Sequence, residues 1–263
     1  MKAGISTASL FLRQLNEDAI SLLSEWNVAC AEVFFTTFSE YDPTFSKLLA
    51  QRKGKTEVHS VHVLNTQFEP QLYNAHPRAK EDAFFWLEKV MESANVLGAK
   101  HYTFHGIARL KRTFREDFER VGKGTQEIFE FCKKRGVTLC YENVEWAFYN
   151  RPGIFRELRA RCEGLKGVLD VKQARITGYP YQEYLKEMGE DLAHVHVSDV
   201  DERGKMCLPG EGTFDFDELV VRLKDVGFDG PLLIENYQTD YQSVEEIKAS
   251  YEYLSELLYK HSV

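Results

Sequence analysis

LAHVHVSDVDERGKMCLPGEGTF, Leu192–Phe214, is the stretch from which the fold can be read. It opens as a short β-run in which His194, His196 and Ser198 share one face and Val195 and Val197 the other, the alternation of a strand. It closes in a glycine-bracketed turn, Pro209-Gly210-Glu211-Gly212, where the chain can bend through positive φ. An imidazole at the end of a buried strand, followed by a long loop, is a common way to hold something in a pocket.

The same grammar recurs on both sides of this stretch. LGAKHYTF (97–104), KRGVTLCYE (134–142), EGLKGVLD (163–170) and VGFDGPLLIE (226–235) each end a helix in glycine shortly before an apolar strand. Taken in order, the patterning predicts strands at Lys2–Ser6, Val28–Phe35, Glu57–Leu64 and Lys100–His105, then at Val137–Glu142, Gly167–Lys172, Leu192–Val197 and Pro231–Glu235. Between them it predicts helices at Asn16–Asn27, Pro43–Lys53, Pro77–Leu97, Thr113–Arg135, Pro152–Cys162, Pro180–Met188, Phe216–Val226 and Val244–Leu258. Asn16 reads as an N-cap, and Phe84, Leu87, Met91 and Ala94 form an apolar stripe at helical spacing. His59 and His62 are expected on opposite faces of the third strand.

Strands that are β-branched or continuously apolar suit a parallel sheet covered on both sides. No linker or composition break divides the chain. The reading is α/β, a single (β/α)8 TIM barrel domain over residues 1–263. A doubly wound open sheet is the alternative, and no Gly-x-Gly-x-x-Gly follows the first strand to support it.

Of the 263 residues, 41 are acidic and 33 basic, a net charge of −8 that argues against nucleic acid as the main partner. The five cysteines are odd in number and contain no C-x-x-C pair, which fits reduced thiols in a cytoplasm. No apolar run reaches the ~18–20 residues a bilayer requires, so no membrane partner is expected.

In a barrel of this kind the loops after the strands form the active site. Glu32, His62, His105, Glu142, Asp170, His196 and Glu235 all fall there. Buried carboxylates converging on one axis need a cation, because each costs several kcal/mol when unpartnered (roughly, on transfer scales). Glu142, Asp170, His196 and Glu235 close successive strands, the fifth to the eighth. Three carboxylates and an imidazole form a hard, oxygen-rich set suited to one divalent metal ion, Mn²⁺ or Mg²⁺ first, with Co²⁺ or Zn²⁺ as alternatives. A buried salt-bridge network with Arg and Lys is the structural alternative. His194, one residue pair deeper, reads as a hydrogen-bonded core histidine.

These residues carry a resemblance. YEN (141–143), LDVKQA (169–174), HVHVSD (194–199), LPGEGTFDF (208–216) and GPLLIEN (230–236), with GIST, AEVFF and SVHVL nearer the start, resemble the xylose isomerase-like barrel superfamily. That group includes sugar epimerases of the tagatose 3-epimerase type, inosose dehydratases and endonuclease IV. The resemblance implies that Glu142, Asp170, His196 and Glu235 ligate one metal, with Glu142 and Glu235 also serving as acid and base. His62 and His105 match histidines common in relatives and read as substrate contacts or as packing behind the site. Glu32 reads as a contact to a sugar hydroxyl or as a lysine's partner inside the barrel. Trp146, with Phe34, Phe35, Phe38, Phe148, Tyr149, Tyr179 and Tyr237, reads as stacking on a sugar ring or an attached aromatic group, or as loop packing or a subunit interface.

The sequence also departs from the family. Gln173 stands where relatives carry a substrate-contacting or metal-binding histidine and is expected to contact the substrate, and strand alternation would place Lys172 beside Asp170, as a proton donor, an oxyanion contact or a counter-charge. Gly204, Lys205 and Met206 replace the Asp-x-His of endonuclease IV, which argues against DNA repair. Arg109, Lys111, Arg112 and Arg115 form a basic cluster read as a solvated helix start or a phosphate contact. The expected function is a metal-dependent sugar isomerase or epimerase acting on a small carbohydrate through an enediolate, in a chain that could form homo-oligomers. An inosose-type dehydratase and a non-catalytic carbohydrate-binding barrel are the alternatives.

Overall fold

The computed structural model describes residues 1–64, 66–109 and 116–262. Lys111, Arg112 and Arg115 of the basic cluster lie outside them. Eight parallel strands close into a barrel: β1 (Lys2–Ser6), β2 (Cys30–Phe35), β3 (Glu57–Val63), β4 (His101–Phe104), β5 (Thr138–Glu142), β6 (Lys166–Asp170), β7 (Leu192–Val197) and β10 (Pro231–Ile234). The ring closes where β1 pairs with both β2 and β10. A two-residue hairpin, β8 (Asp199–Val200) against β9 (Met206–Cys207), is inserted in the loop after β7.

Around the barrel run α1 (Asn16–Glu25), α2 (Pro43–Arg52), α3 (Pro77–Leu97), α4 (Phe118–Lys133), α5 (Ile154–Arg159), α6 (Val171–Thr177), α7 (Tyr181–Met188), α8 (Phe216–Asp225) and α9 (Val244–Lys260). The stripe on α3 packs as expected, with Leu87, Met91 and Ala94 fully buried. The apolar core is the annulus between strands and helices. Outward strand residues such as Phe104, Leu139, Tyr141, Val195 and Ile234 meet the helices there, each large apolar side chain contributing about 1.5–3 kcal/mol on burial.

The barrel interior is polar by contrast. Glu32 is fully buried and accepts hydrogen bonds from Ser6 Oγ (2.9 Å), Ser60 Oγ (2.8 Å) and Thr103 Oγ1 (2.5 Å). Thr103 has one hydroxyl proton and gives it to Glu32, so the 2.9 Å contact with His194 Nε2 must be donated by the imidazole. Burial, against the opposing pull of Glu32, pushes the His194 pKa down to about 4 and so favours the neutral ring. It is the hydrogen-bonded core histidine the sequence indicated.

Three local expectations are corrected. Asn16 is the first residue of α1 rather than its cap, because its side chain is spent on Thr7 Oγ1 and the Phe34 carbonyl, tying the loop after β1 to β2. His59 and His62 do not face opposite ways: the pairing of β2 with β3 slips between Ala31 and Glu32. That slip turns His59 inward, where its ring stacks on His101 at 4.2 Å and lies 5.2 Å from His194. The sixth strand does not reach Lys172. It stops at Asp170, whose carboxylate accepts the Gln173 amide at 2.8 Å and so caps a helix, α6, that the patterning missed.

Candidate metal centre

Glu142 and Asp170 are the last residues of β5 and β6, His196 is the penultimate residue of β7, and Glu235 follows β10 directly. Parallel neighbours in register bring these ends together. One donor atom from each of the four lies within 4.8 Å of every other. His196 Nδ1 sits between two carboxylates, 2.9 Å from Glu142 Oε1 and 3.2 Å from Glu235 Oε2. Its Nε2 is 3.1 Å from Glu32 Oε1, off the line needed for a hydrogen bond.

The set fits a metal ion on the evidence of its own unmet needs. Three carboxylates are crowded round one imidazole, and Glu142 Oε2 and Glu235 Oε2 make no hydrogen bond, meeting the ring nitrogens of His105 and His196 at 3.2 Å, an excess of buried negative charge that a cation would offset. Burial pushes Asp170 up to about 7, with Glu142 adding to the rise and Lys172 opposing it. Among the described residues the cations facing the set are Lys172 and the histidines, with Arg109 in the wall of the cavity above it, so the salt-bridge alternative rests on Lys172 against three carboxylates.

Two histidines flank the set. His62 Nδ1 is 2.9 Å from the Thr103 carbonyl, leaving Nε2 facing Glu142 Oε2 at 3.9 Å. His105 Nε2 is 3.2 Å from the same oxygen, and Nδ1 is 3.6 Å from Glu69 Oε2. Burial opposes the His105 charge, yet Glu142 and Glu69 together raise its pKa to about 10. Glu69, fully buried and bonded by Tyr102 Oη at 2.6 Å, was not anticipated. It lies in a loop after β3, and no spacing in the sequence ties it to His105.

Above the set opens a cavity of about 590 Å³ whose wall includes Phe34, His62, His105, Trp146, Gln173 and Tyr237, with Glu142 and Glu235 in its floor. All six are among the substrate contacts or loop aromatics the sequence suggested, and His105 packs against Trp146 at 5.0 Å. Gln173 is engaged at both ends, accepting the Glu145 amide at 3.1 Å and donating to Tyr237 Oη at 3.5 Å. Glu32 does not line the cavity. It lies beneath His196, so its part is to face the imidazole and not a sugar hydroxyl. Phe35, Phe148 and Tyr149 are packed into the core, and Phe38 rests on Trp86 at 4.6 Å.

Lys172 is 2% exposed. Its Nζ donates to the Glu235 carbonyl at 3.3 Å and lies 3.9 Å above the Tyr237 ring. The residue lines a neighbouring cleft of about 420 Å³ together with Tyr179.

Barrel, strand-end donor set and cavity define a class, and comparison with known proteins agrees. The chain belongs to the xylose isomerase-like TIM barrel family, whose model matches residues 20–257. It is 25% identical to an uncharacterised protein of Methanocaldococcus jannaschii, MJ1311, over 98% of this chain and 89% of that one. Among solved structures it is similar to D-psicose 3-epimerase of Clostridium cellulolyticum H10 with D-tagatose (16% identity, TM-score 0.79, 98% of this chain and 99% of that). It is similar also to the IolI protein with a bound zinc atom (16%, 0.78, 99% of each chain). A third is the probable 3-DHS dehydratase AsbF of Bacillus anthracis (15%, 0.76, 97% and 98%). No helix among the described residues is long and apolar enough to cross a membrane.

Proposed function

We propose that this chain is a divalent-metal-dependent isomerase or epimerase of a small keto-sugar. The observation that carries the reading is the convergence of Glu142, Asp170, His196 and Glu235, one donor atom from each within 4.8 Å of every other, beside a cavity lined by Glu142 and Glu235. Glu142, Asp170, His196 and Glu235 would hold the ion, with manganese the first choice for so oxygen-rich a set. Such an ion polarises a carbonyl and the neighbouring hydroxyl and acidifies the C–H between them.

The chain's own residues supply the rest. Glu142 and Glu235 arrive from strands separated by β6 and β7 in the barrel ring, so one takes the carbon-bound proton and the other returns it from a different side. His105 and His62 hold Glu142 from above. Gln173 and Trp146 bound the substrate, and the Lys172 ammonium steadies the Glu235–Tyr237 turn through its carbonyl and ring contacts. The five free cysteines support residence in a reducing cytoplasm, with residues 1–263 acting as one domain.

Solvent-exchange spectroscopy tests the reading: the manganese-loaded protein, offered a panel of ketoses, should place deuterium from D₂O on the carbon next to the ketone. Glu142→Gln or Glu235→Gln should slow that exchange by about 10²–10⁴-fold. Absence of exchange across the panel overturns it. Dehydration is the second reading, favoured by the likeness to the probable dehydratase. It begins with the same proton removal and is told apart by a product lighter by one water.

A further inference from the structure

The wall of the cavity has a pattern that a plain sugar does not call for. Five rings follow one another along it: Phe11 to Phe34 (5.9 Å between centroids), Phe34 to His62 (5.1 Å), His62 to His105 (4.4 Å) and His105 to Trp146 (5.0 Å). All five line the cavity. Leu12 extends this surface at the mouth, 69% exposed and held at φ 64°, a conformation uncommon for a branched aliphatic residue. The lining also carries two side-chain amides, Asn236 and Gln238, and the Asn236 Oδ1 is buried without a hydrogen bond.

A single sugar ring covers one or two aromatic rings, and its hydroxyls need partners all round. Here Phe11, Leu12 and Phe34 form an apolar stretch that runs on through the imidazoles of His62 and His105 to Trp146, with Arg109 and Gln173 among the other lining residues. The volume, about 590 Å³, is that of pockets that enclose ligands larger than one hexose, typically ~300–1,000 Å³. We infer that the substrate is a keto-sugar carrying a flat aromatic substituent, its hydroxylated ring over Glu142 and Glu235 and its aromatic group along Phe34, Phe11 and Leu12. The inference rests on the proton-transfer reading above and extends it to the substrate class. Offset stacking against such rings contributes beyond simple burial.

The experiment compares two compounds with the same ketone, p-nitrophenyl and methyl 3-keto-glucoside, on the manganese-loaded protein. Deuterium exchange gives kcat/KM and calorimetry gives affinity. The aryl compound is expected to exceed the methyl compound by about tenfold or more in both, and Phe34→Ala to bring the ratio down towards one. Exchange of both compounds at a ratio near one overturns the aromatic substituent and leaves the isomerase reading standing. Tighter binding of the aryl compound with no exchange of either leaves the aromatic site standing and overturns the isomerase. Equal binding and no exchange overturn both.

Discussion

Glu32 Oε1 faces His196 Nε2 at 3.1 Å, on the opposite side of the imidazole from Glu142. A carboxylate facing the other nitrogen of a histidine donor helps to hold the ring's aim. Glu32 is itself held by Ser6, Ser60 and Thr103, so the orientation of His196 is set from four strands. Glu32→Gln should weaken manganese binding by about 10–100-fold in a calorimetric titration. Unaltered affinity would show that the ring is aimed by packing alone.

Metal should also stabilise the fold, since the ligands come from four strands and are assembled only in the native barrel. At a hundredfold excess over Kd the gain is about 2.7 kcal/mol, read as a rise in Tm on adding manganese. Asp170→Asn should abolish most of that rise. A Tm indifferent to manganese in the native protein would contradict the donor set.

Stability should fall on acidification through His59. Burial, aided by His194 and His101, depresses its pKa from 6.5 to about 2. The unfolded chain takes up a proton near pH 6.5 and the folded chain does not. The contribution is therefore complete above about 6.5 and lost progressively as pH falls below it, reaching about 2 kcal/mol at pH 5. His59→Leu should shrink the difference between urea stabilities at pH 7 and pH 5 by about that amount. A slope the same as that of the native protein would place the acid sensitivity elsewhere.

Asp199 organises the loop after β7. Its carboxylate accepts four amides: Val200 (2.7 Å), Gly210 (3.1 Å), Gly212 (3.0 Å) and Phe214 (2.8 Å). Gly212 comes so close that a Cβ there would stand 2.3 Å from the Val200 carbonyl oxygen. Asp199→Ala strands these donors and should cost about 3 kcal/mol or more, given ~1–3 kcal/mol for each buried donor left unmet. Chemical denaturation would measure it, and a loss under 1 kcal/mol (roughly one ordinary hydrogen bond) would mean that water replaces the carboxylate without penalty.

Strand positions and the four strand-end donors were legible in the sequence for a local reason. Glycine stops at Gly98, Gly136, Gly164 and Gly227 marked where each strand began, and period-two patterning then fixed which acid or imidazole closed it. What escaped was set by tertiary partners. Asp170 doubles as donor and helix cap, which moved Lys172 off the strand. The slipped register beside Glu32 reversed His59, and Asn16 was diverted to the Phe34 carbonyl. Glu69 meets His105 only because two loops converge, and no residue spacing records that.

The hydroxyl and imidazole lattice inside the barrel leaves cohesion to the outer shell of strands and helices. Adhesion and reactivity are thereby lodged in separate layers of one molecule. A lineage built this way can rewrite what its lumen does, one strand end at a time, while its keel stays intact.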